Sequence, residues 1–240
     1  MKIASITGVT KSNELQVTKS IGSLIILSSL ALDALTTEKI TVFVERGNGS
    51  NVILANKILL KDFILASTYG TEATQSINVD TKLVALCEIA DNASIYLADK
   101  ESIKIQLEDL IADETYDLYG IEEPLATNAL YFFEQKTVAS EDFNKKVDVA
   151  GFDLAVMTLH ETVSDVSFQY ANGQVIKYLP IELQTLSRDV DPIQAITYDG
   201  KVVQGLTDRL TLPLVSVVGL EINKSQGTII NFVVRTIKEV

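Results

Sequence analysis

Between Thr37 and Ser67 the chain reads "TEKITVFVERGNGSNVILANKILLKDFILAS", and between Val163 and Ser187 it reads "VSDVSFQYANGQVIKYLPIELQTLS". Each passage holds an alternating run, a glycine-centred turn, a second short run and an apolar segment at helical spacing that ends in serine. Such self-similarity constrains the fold strongly, because both copies must then be built on one architecture. Placing Ile40 on Val166 and Gly47 on Gly173 gives a constant offset of 126, and the helical segments align with Ile58 on Tyr178 at 120. Upstream, "SLIILSSL" (Ser23 to Leu30) lies on "FDLAVMTL" (Phe152 to Leu159) at 129. Downstream, "SIYLADKESIKIQLEDL" lies on "GLEINKSQGTIINFVVR" at 125, with Leu97 on Ile222, Ile105 on Ile230 and Leu107 on Phe232. Alternation alone recurs in any β protein, so the inference rests on the shared order of strand, hairpin, helix and closing hairpin. The seam falls near Gly120 to Thr127, predicting domains 1–123 and 124–240.

Strand signals dominate both halves. "ITVFVE", "KLVALCEI", "SIYLAD", "SIKIQLEDL", "ALYFFEQKTV", "FDLAVMTLH", "VSFQY", "LVSVVGLEI" and "TIINFVVRTI" are rich in β-branched residues. Asn48-Gly49, Asn172-Gly173 and Asp199-Gly200 supply turns in which glycine takes a positive φ. Leucines and isoleucines at three- and four-residue spacing predict one short helix in each half, over Ala55 to Ser67 and Leu179 to Ser187, with Pro180 in the first turn of the second. Each half has room for about eight strands and one helix, the content of two Greek keys packed as a sandwich. The fold class expected is all-β: two tandem eight-stranded jelly rolls, each with one short helix.

Twenty basic against 32 acidic residues leave a net charge of −12, a field that repels nucleic-acid phosphates, so direct nucleic-acid binding is not expected. With Cys87 as the single cysteine, an intrachain disulfide and a multi-cysteine metal site are both excluded. The apolar run from Ile21 to Leu32 is too short to span a bilayer and is preceded by twenty residues, so it reads as a buried strand rather than a signal-peptide core.

Chemistry-bearing motifs are absent: no nucleophile elbow, phosphate loop, dinucleotide fingerprint or metalloprotease helix occurs. His160, the lone histidine, ends a strand beside Glu161 and is expected to be structural rather than a general base. Cys87 alternates with Ala85 and Ile89 as a small buried hydrophobe. The closest carboxylates, Asp113-Glu114, Glu122-Glu123 and Asp189/Asp191, are expected to be solvated loop residues rather than a glycosidase pair or a Ca²⁺ site. Tyr116 and Tyr119 are expected to anchor loops. No catalytic residue, cofactor or metal is assigned.

"VERGNGSNVILANKILLKDFILAS" in the first half, with "FDLAVMTLHETVSDVSFQYANGQVIKYLPIELQTL" and "VVGLEINKSQGTIINFVVRTI" in the second, follow the order of the double jelly-roll major capsid proteins of tailless icosahedral viruses with an internal membrane. The chain resembles that family, the corticovirus and finnlakevirus type in particular, over most of its length. The resemblance implies a non-enzymatic building block: homotrimers forming pseudo-hexagonal tiles, partnered by neighbouring capsomers, pentons, and minor capsid or membrane proteins. It also implies residence in the virion capsid after assembly in a bacterial cytoplasm. Strands "SLIILSSL" and "FDLAVMTL", apolar on both faces, fit a sheet covered by a neighbouring sheet or subunit. The first twenty residues carry Lys2, Lys11 and Lys19 against only Glu14, and are expected to form an arm approaching membrane phosphates. The competing readings are a β-sandwich receptor-binding spike or penton, and a glycan hydrolase on paired jelly rolls.

Overall fold

The computed structural model describes residues 1–67, 80–190, 197–198, 201–202, 208–225 and 227–240; Asp191 and the Asp199-Gly200 turn lie outside them. The chain forms two units, Met1–Glu134 with Ile237–Val240, and Gln135–Thr236. In the first are β1 (Lys2–Ile6), β2 (Leu15–Val17), β3 (Ser23–Ser28), a 3-10 turn (Leu32–Ala34), β4 (Lys39–Glu45), β5 (Asn51–Leu59), α1 (Leu60–Ser67), β6 (Leu83–Glu88), β7 (Ser94–Ile95), β8 (Ser102–Glu108), β9 (Tyr116–Ile121) and β10 (Ala126–Thr127). β11 (Ala129–Val138) leads into the second, followed by β12 (Asn144–Asp148), β13 (Leu154–Thr158), β14 (Val163–Tyr170), β15 (Val175–Tyr178), α2 (Pro180–Val190), β16 (Thr197–Tyr198), β17 (Lys201–Val202), β18 (Arg209–Pro213), β19 (Val217–Lys224) and β20 (Ile230–Glu239).

Two four-stranded sheets build the first unit, in the orders β1-β9-β3-β6 and β2-β8-β4-β5, and two build the second, β11-β20-β13-β18 and β12-β19-β14-β15. Ranked within its own unit and leaving aside the two-residue strands, each set reads 1-8-3-6 and 2-7-4-5, with the helix between ranks 5 and 6. That is the jelly-roll order, repeated. In the second unit the core is filled from both sheets, by Ala155, Met157, Leu212 and Phe232 on one side and Val166, Phe168, Leu220 and Ile222 on the other. The alternation that the sequence shows is what puts these residues on one face of each strand. In the first unit the buried positions alternate likewise: Ile40, Val42 and Val44 on β4, Ile103, Ile105 and Leu107 on β8, Leu24 and Ile26 on β3. Cys87 is one of these core residues, and burial pushes its thiol up to about 12.

The repeat is real in strand order, but its register differs from the sequence alignment. Arg46 N donates to Ser50 O and Gly49 N to Arg46 O; Tyr170 N donates to Gln174 O and Gly173 N to Tyr170 O. Asn48 and Asn172 each accept from the backbone N–H two residues on, Ser50 and Gln174. The equivalent turn glycines, both at positive φ, are therefore Gly49 and Gly173, an offset of 124, and not Gly47 and Gly173. The closing block is displaced by one strand: β8 occupies the rank of β19, and β9 that of β20. A period of two matches any apolar strand to any other, so alternation does not encode which strand is which.

The first helix is also shorter than its spacing implies, since Ala55–Leu59 belong to β5. Lys57 takes a left-handed φ of 51°, and the β4–β5 register shifts between Ile40 and Val42 and again between Val42 and Phe43. The irregularity brings Leu54, Ala55 and Ile58 inward at three- and four-residue spacing, which imitates a helix.

Candidate assembly surfaces

Lys2, Lys11 and Lys19 lie in or beside strands rather than on a free arm. β1 pairs with β9 and β2 with β8, so the first twenty residues supply an edge strand to each sheet of the unit. Lys2 meets Asp117 at 3.1 Å, Lys11 meets Glu108 at 2.6 Å and Lys19 meets Glu122 at 3.2 Å, while Glu14 pairs with Lys104 at 3.1 Å. Residues 101–123 hold Glu101, Glu108, Asp109, Asp113, Glu114, Asp117, Glu122 and Glu123 against Lys104 alone. The basic opening thus has an intramolecular counterpart in an acidic stretch a hundred residues away.

The hydrogen bond from Lys11, reinforced by the Lys11 and Lys57 charges against the opposing effect of burial, holds the Glu108 carboxyl below its ordinary range. A depressed folded-state pKa gives stability that is present above the unfolded value, about 4.3, and lost as the pH falls through the folded value. Wild type is expected to melt about 2 °C above Lys11→Gln at pH 7, with the gap closing in acid and narrowing in high salt. Thermal melts at pH 7 and pH 3 check this; a gap undiminished at pH 3 rules the account out.

The other sequence candidates do not converge. His160 Nδ1 accepts from the backbone N–H of Thr162 at 3.2 Å and lies 3.1 Å from its hydroxyl, closing a local turn. Tyr116 and Tyr119 stand on β9 and not in a loop. Tyr116 is fully buried and donates to Glu38 at 3.2 Å, whose other oxygen accepts from the N–H groups of Thr36 and Thr37. Glu114 accepts from Ser29 Oγ at 2.5 Å, Glu122 is paired with Lys19, and Asp189 is exposed. Among the described residues no group of three or more His, Cys, Asp or Glu side chains is placed to hold a metal ion, and no helix is long and apolar enough to cross a membrane.

The surfaces themselves differ. On the β12-β19-β14-β15 sheet the side turned from the core carries a polar ladder. Asn144 Nδ2 donates to Glu221 at 2.6 Å and to Asn223 at 2.5 Å, Asn223 donates to Asp165 at 2.6 Å, and Lys177 pairs with Asp165 at 2.9 Å. Burial acts to raise the Asp165 carboxyl, but the hydrogen bonds from Asn223, Lys177 and Ser164 outweigh it and hold it below its usual range. On the β1-β9-β3-β6 sheet the corresponding side is apolar at its centre, with Glu88 and Ser23 at one end and Lys2 and Ser5 along the β1 edge. Register places Leu86, Ile25 and Tyr119 in one cross-strand row and Val84 and Leu27 in the next, ending on Asp117. All five apolar side chains are half-buried. The helices also differ: every residue of α1 is buried, whereas α2 buries Leu183, Gln184 and Ser187 and leaves Ile181 exposed, as Val175 and Leu179 before it are.

Neither a protein-family model nor a curated protein matches the sequence. Solved structures do match in fold. The major capsid protein of bacteriophage PM2 is 10% identical, with 100% of this chain and 96% of that one covered and a TM-score of 0.62. A chain from the atomic structure of Sulfolobus turreted icosahedral virus is 9% identical, with 99% and 89% covered and a TM-score of 0.52. The likeness spans both units and establishes the double jelly-roll fold.

Proposed function

We propose that the chain is a structural subunit of an icosahedral viral shell, three copies forming a pseudo-hexagonal tile over an internal membrane. The observation that carries this is the doubled 1-8-3-6 and 2-7-4-5 strand order, supported by the whole-chain likeness to a major capsid protein. Two like sandwiches per chain give a three-copy ring six similar bodies, which is how a threefold assembly fills a hexagonal lattice. The work is packing: apolar area covered between copies replaces any covalent joint. Partners on this reading are further copies, penton and minor capsid or membrane proteins, with assembly in a bacterial cytoplasm and residence in the virion.

Light scattering of the purified chain is expected to give three times the chain mass, and negative-stain images a six-lobed outline. A mass equal to one chain at every concentration overturns the proposal and favours the receptor-binding spike or penton, which needs no lateral self-contact.

A further inference from the structure

We infer that the side of the β1-β9-β3-β6 sheet turned away from its own core is the seat for a second copy of this chain. The inference rests on the shell-subunit reading and names the surface that reading leaves unassigned. Its first support is the contrast between β3 and β13, which hold the same rank in their units and are both apolar on both faces. β13 is covered on both, with Leu154, Ala155, Val156 and Met157 fully buried. On β3, Leu24 and Ile26 are fully buried, but Ile25 and Leu27, pointing the other way, are only half-buried. A sheet face meant for water alternates to polar residues, as the ladder of Asn144, Glu221, Asn223 and Asp165 does in the second unit. Here the central alternate positions are Ile25, Leu27, Val84 and Leu86, with Tyr119 completing a row and only the end row, Ser23 and Glu88, turning polar.

Charge favours another copy as the occupant. Chains of net charge −12 repel one another, so a self-contact forms where the local field is smallest. Of the ionised groups on this side, Lys2 and Asp117 neutralise each other at 3.1 Å, the Lys2 ammonium lies 5.6 Å from the centroid of the Tyr119 ring, and Glu88 stands at the end of β6 opposite Ser23. Four strands about 4.8 Å apart and five or six residues long at about 3.3 Å each present roughly 400 Å². Doubled across a contact, that is about 800 Å², short of the 1,200 Å² or more of a stable pairwise interface. The face therefore suits one component of a closed ring, in which it meets a different surface of the next copy.

The test replaces Ile25 with lysine and Leu27 with threonine together, with Gln106→Lys on the other sheet as the control, and measures mass by light scattering and secondary structure by circular dichroism. Ile25→Lys/Leu27→Thr is expected to fall to single-chain mass, or to dissociate at a concentration at least 100-fold higher, while Gln106→Lys assembles as wild type does. A folded double variant that assembles normally overturns the assignment of this face and leaves the shell-subunit reading intact. Wild type that never assembles overturns both. Should the double variant fail to fold, radical footprinting of wild type decides: Tyr119 and Leu86 are expected to be oxidised at least fivefold less in the assembly than in the diluted chain. Equal oxidation overturns the assignment, as it does if these residues are shielded only when anionic vesicles or a peptide are added.

Discussion

Gly22→Ala is expected to destabilise the protein by about 3 kcal/mol or more, lowering the urea midpoint by about 1 M or more. A Cβ built on Gly22 stands 2.2 Å from the carbonyl oxygen of Ala93, more than an ångström inside van der Waals contact, and 2.9 Å from its carbonyl carbon. Both atoms are backbone, so no rotamer relieves the overlap. Nor is either segment free to retreat. Gly22 N donates to Ile121 O at 2.9 Å, and Gly22 O accepts from Ile89 N and Ala90 N at 3.0 and 3.1 Å. Across the contact, Ser94 N donates to Leu125 O at 2.8 Å and Ile95 N to Ile21 O at 3.0 Å. Separating the strands by the needed distance breaks several of these bonds at once. Gly219→Ala is the control: its Cβ meets the Gln169 side-chain oxygen at 3.1 Å, the far end of a flexible chain, and is expected to cost less than about 1 kcal/mol. Equal midpoints for Gly22→Ala and wild type would rule out the close approach.

Nothing in the sequence marks Gly22 as different from its neighbours. It stands in "SIGSLII", where a glycine reads as a strand start, and the residue that crowds it is 71 positions away. What was legible was local and repeated. The Asn-Gly turns could be read because their geometry is fixed by two adjacent residues, and both form the same pair of backbone bonds. α2 was legible from its three- and four-residue spacing and Pro180. The edge strands β1, β2 and β12 were not, because an edge strand is short, half polar and defined by its partner. β12, "NKKVD", has no apolar alternation at all, yet pairs along its length with Gly219 to Asn223 of β19.

The same distinction governs the surfaces. That "SLIILSSL" is apolar on both faces could be read directly, but that Val84, Leu86 and Tyr119 extend its outer face required the register with β6 and β9. The lysines show the reverse case. An excess of positive charge in the first twenty residues is visible in composition and invites an external partner, lipid phosphate. The partners present are carboxylates of β8, β9 and the residue that follows β9, supplied by the chain's own topology. Composition reports that charge must be met, and only the fold reports by what.

Asp153 and Arg235 allow a sharper use of that rule. Arg235 lies on β20 opposite Leu154 of β13, and its Nε donates to the Asp153 carboxylate at 3.2 and 3.3 Å, with Nη2 closer still. The backbone locks the same corner, since Asp153 N donates to Arg235 O at 2.9 Å and Leu214 N to Asp153 O at 2.8 Å. The two side chains are not equally hidden: Arg235 is 4% exposed and Asp153 36%. Removing the carboxylate leaves a guanidinium in a nearly dry site without its closest counter-charge, whereas removing the guanidinium leaves a carboxylate that water already reaches. Asp153→Ala is therefore expected to cost about 3 kcal/mol, the lower end for breaking a buried pair because one partner is partly solvated. Arg235→Met, which keeps most of the stem volume while deleting the charge, is expected to cost about 1 kcal/mol. Urea titrations of both variants read the difference directly. Should Arg235→Met prove as damaging as Asp153→Ala, the energy lies in the packing of the arginine stem across β13, and the desolvation ranking that separates the two residues is wrong.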